Sequence, residues 1–233
     1  MNRLVLVVEG QTEQAVVERV LAPFLGERGV FVTAALVGRS GHKGGIRSFS
    51  EICNDIQRLL RQDAQLVVST FFDYYGLPLA KWPGGEDARQ ALFDGKARAL
   101  ESAMQSEVVF RMGASFNPRR FIPYIQMYEM EALLFADPDT MAQVFDRLDL
   151  AEKFQNILDR FGDCEKINDS FTSAPSKRIL QLYPAYRKGR ALNAHAPIIL
   201  SRIGMERLCR MCGRFGAWID ALEALGRKGT EAL

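Results

Sequence analysis

The chain has 233 residues, 48% of them hydrophobic and 25% charged, with a formal net charge of +2. Such a composition supports a self-sufficient globular core and excludes a disordered chain or a small disulfide scaffold. No apolar run approaches the ~18 residues of a membrane span, and the opening residues lack a secretory pattern, so a cytoplasmic protein with no membrane partner is expected.

The charge is unevenly spread. Residues 166–233 hold 12 Lys and Arg against 5 Asp and Glu, whereas the first 165 hold 18 against 23. A basic C-terminal third suits a polyanion partner or, equally, a solvated helical surface. The four cysteines are Cys53, Cys164, Cys209 and Cys212. Cys209-Arg-Met-Cys212 has zinc-type spacing but no second pair to complete it, so helix-borne thiols are the expected reading.

In chain order, Leu4–Val8 is a continuous apolar run, as in a strand buried on both faces. Gly10 marks a turn, Thr12 is a candidate N-cap, and Val16, Val17, Val20, Leu21, Phe24 and Leu25 repeat at helical spacing. Val30–Val37 is a second strand. The Gly-rich loop 38–45 resembles a phosphate cradle in composition but lacks the Walker spacing, so a basic surface loop is expected. Ser48 and Glu51 form a capping-box pattern before a helix carrying Ile52, Ile56, Leu59 and Leu60. Leu66–Phe72 is a third strand ending in Asp73. Residues 88–107 are helical in composition. Phe121–Gln126 is a fourth strand, with Pro123 pointing to an edge or a strand start. Tyr128–Phe135 starts a helix that Asp137-Pro138 stops, and from Thr140 the pattern is helical, with breaks near Gly162, Pro175, Gly189 and Pro197. This order predicts an α/β fold: a four-stranded, mainly parallel sheet flanked by helices over residues 1–138, with a helical C-terminal extension, 139–233, packed on it.

In open parallel sheets, ligands bind beyond the carboxyl ends of the strands. Glu9 follows the first strand, Asp73 the third, and Glu129 and Glu131 the fourth. Converging carboxylates repel one another and attract a hard cation, and oxygen-only ligands favour Mg²⁺ or Mn²⁺ over zinc. Glu9, Asp73 and Glu131 are the candidate catalytic and metal-binding residues. Glu13, one helical turn from the strand end, and Glu129 are candidate supporting acids; Glu129 could instead pair with Arg119 or Arg120. Lys177 and Arg178, at a helix start after Pro175, are candidate phosphate contacts, with Arg187, Lys188 and Arg190 extending the basic stretch. Tyr74 and Tyr75 are expected to pack rather than act as nucleophiles.

The segment Val8-Glu9-Gly10-Gln11-Thr12-Glu13 resembles the first motif of Toprim domains, the catalytic fold of type IA and type II topoisomerases, DnaG-type primases and OLD-family nucleases. That resemblance implies a Glu after the first strand and an Asp-x-Asp pair after the third. Asp73 matches the first Asp, but Tyr75 stands at the second, so Glu129 or Glu131 would have to replace the missing carboxylate. More closely, residues 9–13, 72–78, 122–135 and 174–178 resemble a bacterial family of uncharacterised Toprim-like proteins, the domain of unknown function 4276 group. The resemblance implies a Toprim-like, Rossmann-related sheet and a Mg²⁺-dependent nuclease cleaving nucleic-acid phosphodiesters, with an ATPase partner in phage defence. The alternative is a non-catalytic module that binds nucleic acid or a partner; a hydrolase of small phosphate esters is a weaker third reading.

Overall fold

The computed structural model describes residues 2–37, 48–168, 171–187 and 194–227. The Gly-rich loop 38–45, Lys188, Gly189 and Arg190 lie outside the described residues.

Five strands form the parallel sheet: β1 (Asn2–Val8), β2 (Val30–Leu36), β3 (Val67–Asp73), β4 (Phe121–Ile122) and β5 (Ile125–Gln126). The order is β2-β1-β3-β4, and β5 pairs with β3 beyond β4. The expected fourth strand is thus two short segments along the same neighbour. Pro123 between them has no N–H to give the ladder. The Thr70 side chain fills the gap, its Oγ1 donating to the Tyr124 carbonyl and accepting from the Tyr124 amide, both at 2.9 Å.

Alternating side chains of the central strands face two cores. On one face Leu4, Leu6, Val8 and Phe71 pack with the first helical segment and with the C-terminal helices, including Leu200 and Trp218. On the other, Val7, Val68 and Phe72 pack against Ile56, Leu60, Leu100 and Met104. The C-terminal helices therefore share a core with the sheet. Each buried aliphatic side chain of this kind contributes roughly 1.5–3 kcal/mol relative to exposure.

The helices are α1 (Gln11–Val16), α2 (Ala22–Gly26), α3 (Phe49–Gln62), α4 (Gly85–Gln90), α5 (Phe93–Met112), α6 (Pro138–Val144), α7 (Ala151–Phe161), α8 (Pro175–Leu182), α9 (His195–Ile203), α10 (Met205–Met211) and α11 (Gly213–Arg227). A π-helical turn, Val17–Leu21, joins α1 to α2. Pro23, just beyond it, cannot donate to the carbonyl four residues back, and the widened turn relieves that mismatch. No helix among the described residues is long and apolar enough to cross a membrane.

Several local expectations change. The N-cap of α1 is Gly10, with no side-chain cap; Thr12 is buried inside the helix. Ser48 sits at the N-cap of α3, but its side chain makes no capping hydrogen bond. The 88–107 helix is two helices, α4 and α5. The helix after Tyr128 is a 3₁₀ segment, Met130–Ala136, and Asp137 caps the next helix through the Thr140 amide. Pro197 lies in the first turn of α9, where its missing N–H has no partner to lose.

One clamp closes the β5 side of the sheet. Glu101 on α5 accepts the Ile125 amide of β5 at 2.9 Å and the Arg214 guanidinium of α11 at 2.6 Å. Helices on opposite faces are thereby tied across the edge.

Candidate functional site

The acidic residues meet beyond the carboxyl ends of the strands. Glu9 follows β1 directly, Asp73 is the last residue of β3, and Glu129 and Glu131 follow β5. Two glycines make room for the first acids. A Cβ on Gly76 would lie 2.2 Å from Glu9 Oε2, and one on Gly10 would lie 2.9 Å from Glu13 Oε2. The Glu9 and Glu13 carboxylates therefore rest against bare backbone.

Asp73 is the electrostatic centre. Its pKa is driven well above the ordinary carboxylate range, first by burial and then by Glu13, Glu131, Glu9 and Glu129. Five carboxylates thus interact at one sheet edge, with Asp73 under the field of the other four.

Each acid from the C-terminal side is oriented by a specific donor. Asp73 Oδ1 accepts the Met130 amide at 2.8 Å, so the strand end is fixed to the 3₁₀ segment. Both oxygens of Glu129 are held by Ser176, the amide at 2.8 Å and the hydroxyl at 3.0 Å. Glu131 is 2% exposed, and its Oε1 accepts from the Tyr186 hydroxyl at 3.2 Å.

The sequence-derived pairing of Glu129 with Arg119 or Arg120 is not what forms. Arg120 instead donates to the carbonyls of Leu60, Asp63 and Leu66, stitching the end of α3 to the start of β3. The start of α8 does hold an anion, but that anion is the carboxylate of Glu129. Lys177 is exposed there, while Arg178 donates to the Ser173 carbonyl at 2.8 Å and stacks 4.9 Å over Phe161.

Tyr75 supplies no carboxylate. Its amide donates to the Tyr128 carbonyl at 3.1 Å, and the two rings lie 5.3 Å apart. Tyr128 has φ of 61°, a left-handed conformation that costs on the order of 1–3 kcal/mol for a bulky residue. Strain of this kind, one residue before Glu129, is held in place by the surrounding structure.

Among the described residues, no three His, Cys, Asp or Glu side chains stand gathered in an arrangement that would hold a metal ion. The four cysteines are free thiols, with Cys209 half-buried in α10 and Cys212 buried at its end. Sequence reasoning missed Tyr186 and the two bonds by which Ser176 holds Glu129. Gly76 was legible only as part of the Asp-Tyr-Tyr-Gly string.

The family model for a domain of unknown function, DUF4276, matches residues 8–223. The chain belongs to this family. The DUF4276 match takes in all five acids and the helices that hold them. No curated protein and no solved structure matches the chain.

Proposed function

We propose that this DUF4276 protein is a metal-dependent nuclease, hydrolysing nucleic-acid phosphodiesters with Mg²⁺ or Mn²⁺. The observation that carries the reading is the convergence of Glu9, Glu13, Glu129 and Glu131 on Asp73 at the carboxyl edge of a parallel sheet. Left unneutralised, such a group is electrostatically unfavourable, and a hard divalent cation is the natural counter-ion for an all-oxygen donor set.

Glu9, Asp73 and Glu131 would hold the ion. The Met130 amide and the Tyr186 hydroxyl orient two of them. Glu129, with both oxygens on Ser176, adds negative field while staying on the start of α8. A bound divalent cation supplies an acidified water and a polarised phosphoryl oxygen. In this reading Glu131 takes the place of the carboxylate that Tyr75 lacks relative to the Toprim pattern. Lys177 and Arg178 would steady the phosphate. The resemblance to Toprim-like proteins, often encoded beside ATPases, adds an ATPase partner in phage defence.

The test is cleavage of DNA, RNA and tRNA in Mg²⁺ or Mn²⁺ by wild type and Glu9→Gln, together with the unfolding temperature in Mn²⁺. Wild type should cut and be stabilised by the ion, and Glu9→Gln should lose both. Absence of both effects in wild type, with the ATPase partner present, removes the proposal.

A second reading, a non-catalytic nucleic-acid- or partner-binding module, is favoured by one observation. Glu129 and Glu131 are already held by protein donors, and no three acids stand in a metal-holding arrangement. Nucleic-acid binding without metal-dependent cleavage would select it.

A further inference from the structure

Beside the acidic group lies a set of aromatic side chains that the core does not enclose. Tyr75 and Tyr128 are tilted at 40° to each other, and Phe93 continues the row 6.0 Å from Tyr128. All three are only partly buried, whereas the core rings Phe71, Phe72 and Tyr124 are 0–2% exposed. Tyr75 follows Asp73 by two residues and Tyr128 immediately precedes Glu129, so the row borders the carboxylates. At its other end the exposed Lys166 places its ammonium 5.4 Å over Phe93.

Asn168 lies beside the side chains of both Tyr75 and Tyr128, and its Oδ1 is buried with no hydrogen-bond partner among the described residues. The left-handed backbone of Tyr128 and the Tyr75 amide bond to its carbonyl hold the two residues together from the main-chain side. Rings packed on the core on one side, tied through the main chain and partly exposed on the other are preorganised rather than loosely held.

We propose that Tyr75, Tyr128 and Phe93 form a stacking platform for an unpaired base, so that the substrate class is single-stranded nucleic acid. The inference rests on the nuclease reading for where the backbone runs: one phosphate toward the ion held by the carboxylates, another toward Lys166. Stacking needs an uncovered base face, which a strand inside a duplex does not offer, and it tolerates any base because each has a π-face. Asn168 is a positioning residue that keeps the two tyrosine rings in place.

The experiment uses the full chain and a short single-stranded oligonucleotide carrying 2-aminopurine, in DNA and RNA forms, with Mn²⁺ and with chelator. Binding is read by anisotropy and stacking by quenching of the base, while gels report cleavage. Wild type should quench the probe. Tyr75→Ala and Tyr128→Ala should lose quenching and bind about 5- to 150-fold more weakly, and Tyr75→Phe should retain both. Asn168→Ala should weaken quenching more than affinity. Should Tyr128→Ala fail to fold, Tyr75→Ala and Phe93→Ala carry the comparison, with circular dichroism as the folding check. Equal affinity for an abasic strand, tighter binding of a duplex, unchanged binding by the folded alanine variants, or no binding by wild type each overturns the platform. Quenching with neither cleavage nor stabilisation in Mn²⁺ when the ATPase partner is present leaves the platform standing and removes the nuclease reading instead.

Discussion

Gly76→Ala is the sharpest probe of the acidic group, because it moves one carboxylate without changing any charge. The added Cβ would lie 2.2 Å from Oε2, 2.7 Å from Oε1 and 2.8 Å from Cδ of Glu9. Reaching an ordinary contact near ~3.5 Å forces that carboxylate back by more than ~1 Å. Gly76 is not among the residues of positive φ, so alanine fits its backbone and gains about 0.4–1 kcal/mol through the unfolded chain. A displaced Glu9 rotamer costs about 0.5–1.5 kcal/mol, so net stability should stay within roughly 1 kcal/mol of wild type. A catalytic carboxylate displaced by ~1 Å, in contrast, typically costs on the order of 100-fold in rate. Denaturant unfolding and Mn²⁺-dependent cleavage measured together separate the two effects. Gly26→Ala, where nothing lies within 4 Å of the new Cβ, is the control. Wild-type cleavage and Mn²⁺ stabilisation in Gly76→Ala would refute the role given to Glu9. A loss of several kcal/mol in stability would refute the view that only a flexible side-chain end meets the new methyl.

Three further outcomes are expected. Because burial and four glutamates raise the pKa of Asp73, its contribution to stability is complete below the unfolded value near ~3.9 and is lost as pH rises through the folded value. Asp73→Asn keeps an oxygen for the Met130 amide, so it should raise the metal-free unfolding temperature at neutral pH and do so less in acid; a less stable variant at neutral pH contradicts this. Ser176→Ala removes the 3.0 Å bond to Glu129 but keeps the 2.8 Å amide bond, and should cost about 1.5 kcal/mol in urea unfolding; an unchanged midpoint would show that the hydroxyl contributes nothing. Burial, then Asp220 and Glu223, push the Cys209 thiol up to about 11, so alkylation near neutral pH should run about two orders of magnitude slower than for a free thiol, and rapid labelling by mass spectrometry would contradict that.

Much of the frame was legible because it is written locally. The apolar runs of β1, β2 and β3 are unbroken, and Pro123 points to an outer strand, though not to its gap. Placing Glu9, Asp73, Glu129 and Glu131 at one edge needed only the rule that parallel strands end together. What escaped depends on distant partners. Ser176 reaches Glu129 across 47 residues and Tyr186 reaches Glu131 across 55, with no periodicity to signal either. The misread caps have the same origin: Thr12 suits a helix start by type, but tertiary packing buries it and leaves the cap to Gly10.

The clamp of Glu101 and Arg214 has a consequence for how the sheet meets other molecules. An open strand edge is a template on which a foreign strand can add. At β5 the Ile125 amide is already taken by Glu101, and a guanidinium lies over the same carboxylate. At the opposite margin β2 pairs only with β1 among the described residues, and Phe31 is 47% exposed. Among the described residues, a strand added at the β2 margin would meet no such clamp, and Phe31→Lys would be the smallest change to discourage it.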